Sequence, residues 1–466
     1  MSDRFYNLLK KYDVPGPRYT SYPTVPAWSS EVGGADYEQS LKKLQKGERL
    51  SLYFHLPFCE SLCHFCGCMQ VITKDKSRSE AYVQTVLKEV QKVSQFIPSD
   101  CREVTQIHFG GGTPNFVQPF ELTQILDVIR KHFNLLPGCE VAIELHPKTS
   151  TRTFNENLAR LGFNRISLGV QDLDPVVQKL INRNQTHQMT KEMVDQLREL
   201  GFSSFNFDLV YGLPGQTMKG WEETLNQVLQ MAPDRLAVYS YAHVPWARPV
   251  QRTFKDSDLP PPEMKLKLFE KAHYFFTENG YRLIGMDHFA KKEDELSKAL
   301  DEGTIHRNFM GYSTRADAHQ IGFGVSSISY VAGNYFQNLK ELKKYVEAIE
   351  SESLASFRGH LLSRDDAIRR DVILQIMCRG FIDFASIDSK WGIIFENYFH
   401  DACRGGLRTA LTLSDFIHDG LLELRNRKLH VIGDGFLFLR NMAMVFDAYL
   451  EGIREKAVNP TFSRTV

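Results

Sequence analysis

The sequence predicts an α/β protein built on a partial (β/α)6 TIM-like barrel, with an N-terminal arm and a smaller, mainly helical C-terminal domain. Six strand-like segments alternate with helical segments between residues 51 and 279, and this order predicts a parallel sheet. The strand-like segments are rich in Val, Ile, Phe and Leu, as buried parallel strands are. Polar residues and glycines gather where these strands end. A barrel brings such ends to one mouth, whereas an open sheet would spread them along an edge.

The six predicted strands follow one another along the chain. They are SLYFHLPF (51–58), TQIHFGG (105–111), VAIELHP (141–147), RISLGVQ (165–171), SFNFDLVYGLP (204–214) and DRLAVYSYAHV (234–244). Segments with the helical spacing of apolar residues follow each strand. These predicted helices cover residues 77–96, 119–133, 154–163, 190–202, 220–232 and 263–279.

Both ends of the chain differ from the barrel pattern. Near the N-terminus, PGPRYTSYPT (15–24) places prolines and a glycine around an Arg-Tyr pair, which predicts an extended arm. After the last barrel helix come two strand-like segments, YRLIGMDHFA (281–290) and GFGVSSISYV (322–331), and then mostly helical sequence. We therefore predict an arm or lid over residues 1–50, a barrel domain over 51–335 and a C-terminal domain over 336–466.

Composition narrows the class of protein. The 466 residues include 56 Lys and Arg and 56 Asp and Glu, so the formal net charge is zero. This balance argues against a nucleic-acid partner, because nucleic-acid binders carry a basic excess. The sequence shows no secretory h-region and no apolar run of about 18 residues, the length that a spanning helix needs. We therefore expect a cytoplasmic protein with no membrane partner, in a compartment that disfavours structural disulfides.

Four of the eight cysteines lie within ten residues, in HLPFCESLCHFCGCMQ. Cys59, Cys63 and Cys66 form C-x3-C-x2-C, and Cys68 follows two residues later. Thiolates at such spacing wrap a compact metal cluster. Three thiolates on a cluster of four irons leave one iron open, and an open position marks a reactive metal. The alternatives are a plain cysteine-rich loop, or a zinc site with Cys68 as fourth ligand. The other cysteines are assigned no role: Cys101, Cys139, Cys378 and Cys403.

Further candidates stand at the ends of other strands. The run Gly110-Gly111-Gly112-Thr113-Pro114 follows the second strand, and glycines let a backbone approach a ligand closely. Glu144 and Asp208 end later strands and could accept from ammonium or hydroxyl groups. Taken singly, the glycine run could be a tight turn and each acid a structural group. Their shared place at one mouth favours a functional site.

The C-x3-C-x2-C loop after the first strand, with Phe65 before the third cysteine and GGGTP one strand later, resembles the radical S-adenosylmethionine superfamily. The resemblance implies a [4Fe-4S] cluster whose open iron binds S-adenosylmethionine. One electron then cleaves this cofactor to a 5′-deoxyadenosyl radical.

A closer resemblance, to the oxygen-independent coproporphyrinogen III oxidase family, covers essentially the whole chain. Among the stretches that carry it are PGPRYTSYPT (15–24), CHFCGC (63–68), FGGGTPN (109–115), INRNQ (181–185), DLVYGLPGQT (208–217), HRNFMGYSTR (306–315) and FSRTV (462–466). The second cysteine of CGC distinguishes this family from its haem-chaperone relatives.

The family resemblance implies roles for particular residues. Cys59, Cys63 and Cys66 would hold the cluster, and two S-adenosylmethionine molecules would bind. Contacts to the cluster-bound molecule would come from Tyr53, Gly111, Glu144 and Ile328. Contacts to the second molecule would come from Phe65, Gly112, Thr113, Gln171, Arg183, Asp208 and Ala242. Cys68, Tyr53 and Glu144 would be catalytic. His146 stands where the family has Asp, which bears on the placement of Glu144.

The implied reaction oxidatively decarboxylates the ring A and B propionates of coproporphyrinogen III to vinyl groups, giving protoporphyrinogen IX in haem biosynthesis. Arginines suit carboxylates, and the candidates are Arg18, Arg315, Arg358, Arg364, Arg369 and Arg370. The resemblance also implies a flavodoxin- or ferredoxin-like electron donor, an electron acceptor that the sequence does not identify, and a monomer. The alternatives within the same resemblance are a haem-degrading methyltransferase and a non-enzymatic haem chaperone.

Overall fold

A computed structural model describes residues 3–316, 318–351, 353–404, 411–457 and 461–465. Its largest element is a twelve-stranded sheet. In chain order the strands are β1 (Arg49–Leu56), β2 (Glu103–Gly111), β3 (Asn134–Leu145), β4 (Arg165–Gln171), β5 (Phe205–Tyr211), β6 (Arg235–Ser240), β7 (Tyr281–Ile284), β8 (His288–Lys291), β9 (Ala318–Phe323), β10 (Ile328–Val331), β11 (Asn334–Asn338) and β12 (Ser356–Leu361).

The centre of this sheet is parallel, as the sequence predicts. The spatial order is β12-β11-β10-β9-β1-β2-β3-β4-β5-β6-β8-β7, and β9 with β1 to β6 forms the parallel part. Antiparallel strands extend it on both sides. The predicted α/β fold with six strand–helix units is thereby confirmed.

Helices precede the barrel and connect its strands. They are α1 (Asp3–Tyr12), α2 (Gly34–Lys42), α3 (Ser77–Phe96), α4 (Pro119–His132), α5 (Arg152–Leu161), α6 (Pro175–Leu180), α7 (His187–Glu199), α8 (Met218–Gln230), α9 (Pro262–Glu278) and α10 (Glu295–Glu302). Short 3-10 turns cover Val25–Ala27, Ser99–Cys101, Pro114–Phe116, Pro147–Thr149, Pro249–Thr253, Asp256–Asp258 and Gly433–Phe438.

The two faces of the parallel sheet differ in chemistry. In β1, Leu52 and Phe54 are fully buried in the main apolar core, on the face covered by the helices. The alternate residues Ser51 and Tyr53 face the concave side, because side chains alternate along a strand. There the Ser51 hydroxyl donates to Gln106 Oε1 at 2.7 Å, and Gln106 Nε2 donates to Glu140 Oε1 at 2.8 Å. The concave face is therefore polar, and we call it the inner face.

Two segments predicted as single strands are hairpins instead. Residues 281–290 form β7 and β8, which pair antiparallel around Gly285 at φ +60°. Residues 322–331 contain the end of β9, a turn at Gly324 at φ +95°, and β10. Each glycine takes the left-handed conformation that reverses the chain, a conformation that few other residues adopt. The reversal explains why each segment gives two short strands.

The C-terminal part is mainly helical, as predicted. Its helices are α11 (Leu342–Glu350), α12 (Arg364–Arg379), α13 (Phe384–Trp391), α14 (Phe395–Tyr398), α15 (His400–Arg404), α16 (Leu413–His418), α17 (Leu439–Met444) and α18 (Leu450–Lys456). A small sheet joins Phe381–Asp383, Lys428–Val431 and Leu422–Arg425. Two-stranded ribbons join Phe58–Cys59 to Val71–Ile72 and His306–Asn308 to Gly311–Ser313. The main sheet continues to Leu361, beyond residue 335, and the domain bounds given above remain predictions.

The N-terminal arm is part of a second apolar core, built mostly by the C-terminal helices. Tyr12, Tyr19 and Tyr22 are buried in it. The buried guanidinium of Arg440 donates to the carbonyl oxygens of Gly16, Pro17, Arg464 and Thr465. One side chain therefore holds residues from both ends of the chain. Within the described ranges, no helix combines the length and apolarity that crossing a membrane requires.

Candidate active site

A cavity of about 460 Å³ lies at the carboxyl ends of the parallel strands. Its lining includes most of the predicted site residues: Cys59, Cys63, Phe65, Cys66, Cys68, Gly111, Gly112, Thr113, Glu144, Gln171, Arg183 and Asp208. These residues come from the cysteine loop, from the segment between α6 and α7 that carries Arg183, and from four barrel strands or their ends, and the fold brings them together around one cavity. Tyr53, Ala242 and Ile328 do not line this cavity.

The cysteine loop is tied to the barrel mouth by hydrogen bonds. Cys59 Sγ and Thr113 Oγ1 are 3.2 Å apart. The Asn182 amide donates to Leu62 O at 2.9 Å, and the Gln251 amide donates to Phe65 O at 3.2 Å. Segments from three other parts of the fold thus hold the loop, which predisposes its thiols to face the cavity.

The thiols of this loop differ in acidity. Burial raises the pKa of Cys59 to about 11, so this thiol is protonated at neutral pH in the absence of a metal. A bound cationic metal centre would stabilise the thiolate instead. A hydrogen bond with Cys68 lowers the pKa of Cys66 below that of an ordinary thiol. Cys68 is exposed and lines the cavity beside Cys66. Of the four cysteines without a predicted role, Cys101, Cys139 and Cys378 carry free thiols, and Cys403 has no described side chain.

The glycine run after β2 lies against the chain that leads into the cysteine loop. Gly112 N donates to Leu56 O, and Thr113 N donates to Phe58 O, both at 2.9 Å. A Cβ at Gly112 would lie 2.6 Å from Pro57 O and 3.0 Å from Cys59 Sγ. Gly111 has φ +121°, a conformation that L side chains rarely adopt. This close approach requires glycine.

Glu144, at the end of β3, is held by a polar cluster on the inner face. Its Oε1 lies 3.1 Å from His108 Nε2, and its Oε2 accepts from Gly111 N at 3.4 Å. The Tyr53 ring stacks on His108 with centroids 5.9 Å apart. Tyr53 therefore packs against the His108 ring that contacts Glu144. Burial raises the pKa of the Tyr53 hydroxyl well above its usual value. The Tyr53 hydroxyl lies 3.1 Å from His55 Nδ1.

Arg183 is fixed by an unusual stretch of backbone. Its neighbours Asn182 and Asn184 have φ +56° and +50°. The guanidinium donates to Gly169 O and to Gln185 Oε1, and its Nη1 lies 3.8 Å from Cys63 Sγ. A Cβ at Gly169 would lie 2.8 Å from Arg183 Nη2, so this glycine makes room for the cation.

Gln171 ends β4 with φ +66°, where the pairing of β4 with β5 shifts register. A non-glycine residue in this conformation costs free energy, and such residues cluster at functional sites. The shift places the Gln171 side chain in the cavity beside Arg183.

Asp208, on β5, has its Oδ1 2.9 Å from Asn206 Nδ2, which also donates to Ser167 Oγ at 2.9 Å. Burial, together with the charge of Glu144, raises the pKa of Asp208 to about 7. Asp208 therefore exchanges a proton near neutral pH unless a cation binds beside it.

Two predicted residues lie farther along the mouth. Ala242 follows the end of β6. Ile328 begins β10, and its carbonyl accepts from Gln320 Nε2 at 3.0 Å. Because β10 lies two strands from β1, Ile328 belongs to the opposite side of the mouth from Asp208.

His146 lines the cavity as a neutral ring. Burial lowers its pKa to about 2, and its Nδ1 accepts from Lys148 N at 3.2 Å. Asn115 binds both the backbone N and O of His146, which fixes the turn after Glu144. His146 thus stabilises this turn without adding charge.

His108, Ser167 and Asn206 hold the two acids in place, and these three residues are not among the predicted site residues. The signal was present, because polar and apolar residues alternate in S-L-Y-F-H-L and T-Q-I-H-F-G. The apolar content of these strands predicts only that they are buried, whereas the alternation indicates that one face is polar.

The donor set fits an iron–sulfur cluster. Three free thiols from one tethered loop line a cavity, next to glycines at which any side chain would fill the space. In the part of the chain that the structure describes, no three His, Cys, Asp or Glu side chains are grouped as ligands of a single ion. Soft thiolates are the ligands that iron–sulfur clusters use.

The candidate propionate ligands differ in their surroundings. Arg369 Nε donates to Asp365 at 2.7 Å, Arg364 donates to Trp391 O, and Arg358 Nε donates to Gln337 Oε1 at 2.7 Å. Arg18 Nη2 donates to Ser240 O at 2.7 Å. Arg315 has a buried Nε without a hydrogen-bond partner among the described residues. The Arg370 guanidinium lies over the ring of Tyr330.

Comparisons with known proteins agree with this geometry. Residues 53–228 match the family described as Radical SAM superfamily, so the barrel and its cysteine loop define a radical S-adenosylmethionine protein. The oxygen-independent coproporphyrinogen III oxidase of Escherichia coli strain K12 is 39% identical over 459 residues, covering 98% of each chain. That of Pseudomonas aeruginosa is 39% identical over 463 residues, covering 99% of this chain and 98% of its own. The chain belongs to the oxygen-independent coproporphyrinogen III oxidase family.

A solved structure extends the likeness to three dimensions. Coproporphyrinogen III oxidase from Escherichia coli, described as a radical SAM enzyme, matches with a TM-score of 0.88 at 38% identity, covering 95% of this chain and 98% of its own. The family membership carries a [4Fe-4S] cluster and S-adenosylmethionine as cofactors. It does not favour the methyltransferase or the haem chaperone.

Proposed function

We propose that this chain is an oxidoreductase that decarboxylates coproporphyrinogen III, converting the ring A and ring B propionates to vinyl groups and yielding protoporphyrinogen IX in haem biosynthesis. When bound, the cluster and S-adenosylmethionine supply a radical that removes hydrogen. Each propionate loses one hydrogen atom from its β-carbon, then carbon dioxide and one electron, which passes to an external acceptor. The carbon–carbon double bond of the vinyl group remains.

The residues of the cavity have distinct tasks in this proposal. Cys59, Cys63 and Cys66 hold the cluster, and Gly112 lets the second strand end approach Cys59. Glu144, fixed by His108, accepts from the amino or hydroxyl groups of the cluster-bound cofactor.

The other wall of the cavity would hold a second S-adenosylmethionine molecule. Arg183 and Asp208 lie there with opposite charges, which suit a carboxylate and a cationic or hydroxyl group respectively. Phe65, Gly112, Thr113, Gln171 and Ala242 complete the proposed contacts, and Tyr53, Gly111 and Ile328 those to the first molecule. Cys68 faces the same cavity and is the proposed catalytic thiol.

One observation carries the proposal. The three thiols line a cavity at the barrel mouth, in a chain that matches named coproporphyrinogen III oxidases over 98% of its length. The proposal includes a flavodoxin- or ferredoxin-like electron donor, an external electron acceptor, a monomeric state and action in the cytoplasm. The redox partners follow from the one-electron balance of the reaction.

Anaerobic incubation with coproporphyrinogen III, S-adenosylmethionine and a chemical reductant tests the proposal. We expect protoporphyrinogen IX and carbon dioxide. A cluster-replete sample that forms neither would contradict the function, and methylated or ring-opened products would favour the methyltransferase.

A pair of cysteine variants separates the site from general effects of cysteine loss. Cys66→Ser is expected to lose iron–sulfur absorbance and turnover together. Cys139→Ser removes a half-buried thiol of β3 that does not line the cavity and is expected to keep both. Full activity in Cys66→Ser would remove this cysteine from the ligand set.

A further inference from the structure

The guanidinium of Arg370, in the mainly helical C-terminal part, lies against the inner face of the barrel. Arg370, on α12, lies over the ring of Tyr330 with its Cζ 4.4 Å from the centroid. Its Nε donates to the Tyr335 hydroxyl at 3.0 Å. Tyr330 pairs with Gln320 on β9, and Gln320 pairs with Ser51 on β1. Arg370 therefore lies on the polar side of the sheet, on the side of the barrel that β9 and β10 form.

Arg370 forms no ion pair with a carboxylate in the described part of the chain. Among the described residues, no carboxylate oxygen lies within 4.0 Å of its guanidinium nitrogens. The neighbouring Asp371 carboxylate accepts from Lys390 Nζ at 2.7 Å and from Trp391 Nε1 at 2.9 Å. Burial and the charge of Arg370 lower the pKa of His306 to about 3, so this ring is neutral. A partly buried guanidinium without an anion costs free energy unless a ligand brings one.

The preceding residue provides a contrast. Arg369 donates to the Asp365 carboxylate and, through Nη1, to Phe446 O at 3.0 Å. One step along a helix turns the side chain by about 100°, since 3.6 residues make a turn. Arg369 therefore faces the second core, its donors are used within the fold, and it is removed from the candidate propionate ligands. Arg370 faces the barrel.

We propose that Arg370 binds a propionate carboxylate of the tetrapyrrole substrate, and this assignment rests on the proposed function. The Tyr330 ring and the Tyr335 hydroxyl orient the guanidinium, whose forked donors match a carboxylate. Tyr330 lies two residues after Ile328 on the same face of β10, so the bound carboxylate lies beside the strand that borders the mouth. Arg370 is thus a specificity-determining residue for a substrate with four carboxylates.

Substrate binding and turnover by cluster-replete variants test this assignment. We compare wild type, Arg370→Gln, Arg370→Lys and the control Arg369→Gln. Binding is followed by the fluorescence of coproporphyrin III and of its tetramethyl ester, which lacks free carboxylates. Anaerobic turnover of coproporphyrinogen III gives KM and kcat. Circular dichroism and iron content verify that each variant is folded and loaded.

Arg370→Gln is expected to weaken coproporphyrin III binding and raise KM about 10- to 100-fold, because a charge-assisted hydrogen bond is lost. Ester binding should stay within about twofold, and Arg370→Lys should fall between wild type and Arg370→Gln. Arg369→Gln should change neither binding constant more than about threefold.

Three results would overturn the assignment. The first is unchanged coproporphyrin III binding in Arg370→Gln, and the second is equal weakening of coproporphyrin III and tetramethyl ester binding in that variant. If Arg370→Gln does not fold, the third is wild-type coproporphyrin III affinity in Arg370→Lys. Wild-type enzyme that binds the tetra-acid through Arg370 but forms no protoporphyrinogen IX would contradict the proposed function while supporting the binding role.

Discussion

Replacing Gly112 by alanine is expected to disturb the cluster without changing any ligand. The added Cβ would lie 2.6 Å from Pro57 O, whereas ordinary contacts begin near 3.4 Å. The two segments must therefore separate by about 0.8 Å. Pro57 O cannot yield freely, because it accepts from Val71 N at 2.7 Å, and Gly112 N is itself bound to Leu56 O. The displacement passes to Cys59, whose Sγ lies 3.0 Å from the same Cβ.

A misplacement of about 1 Å can cost on the order of 100-fold in rate. We therefore expect Gly112→Ala to lose most of its iron and sulfide and to form 5′-deoxyadenosine about 100-fold more slowly. The assay is anaerobic reconstitution, iron and sulfide analysis, and chromatography of the cleavage product. Gly452→Ala is the control, since its added Cβ meets nothing within 4 Å. Wild-type iron content and cleavage in Gly112→Ala would refute the reasoning.

Three further predictions concern charge and packing. Because the Asp208 pKa is about 7 and its carboxylate form would bind a cationic cofactor, S-adenosylmethionine affinity should fall about fivefold between pH 7 and pH 6 in equilibrium dialysis. Asp208→Asn should abolish this pH dependence, and a persisting slope would contradict the role. Burial raises the pKa of Glu89 from 4.5 to about 7, so its protonated form stabilises the fold at low pH and about 3 kcal/mol is lost as pH rises between these values. Denaturant unfolding should show a flatter pH profile in Glu89→Gln, and identical profiles would be evidence against this. Arg440→Gln removes donors from four carbonyl oxygens and should speed tryptic cleavage after Arg18 at least about tenfold; equal cleavage rates would show that other contacts hold the arm.

The sequence predicted the strand–helix order and the cysteine loop, because both depend on local patterns. Residues 77–96 carry helical periodicity and form α3 with those bounds. Cys59, Cys63 and Cys66 lie close in sequence, so a single loop suffices to bring them to the cavity. Gly285 and Gly324 stand within segments that the sequence predicts as single strands, whereas in the structure the chain reverses at each of them.

Contacts between distant segments carry no such local signal. Nothing around Tyr12 indicates that its ring stacks on Phe416 at 4.7 Å, because the partner lies some 400 residues away. His108 likewise becomes a partner of Glu144 only when two strands pair in register. Arg369 and Arg370 are indistinguishable as letters, and only the orientation of α12 separates them.

The burial of the arm within the second core has a consequence for synthesis of the chain. Residues 12–22 leave the ribosome early, yet most of the apolar side chains that cover them belong to residues 368–450. The βα units can assemble in order as they appear, since each contacts its predecessor. The arm therefore cannot pack, and Tyr12, Tyr19 and Tyr22 stay exposed, until α12 to α18 have been synthesised. During that interval the nascent protein exposes an aromatic segment. In a pulse-chase experiment we expect this segment to be the last to resist protease.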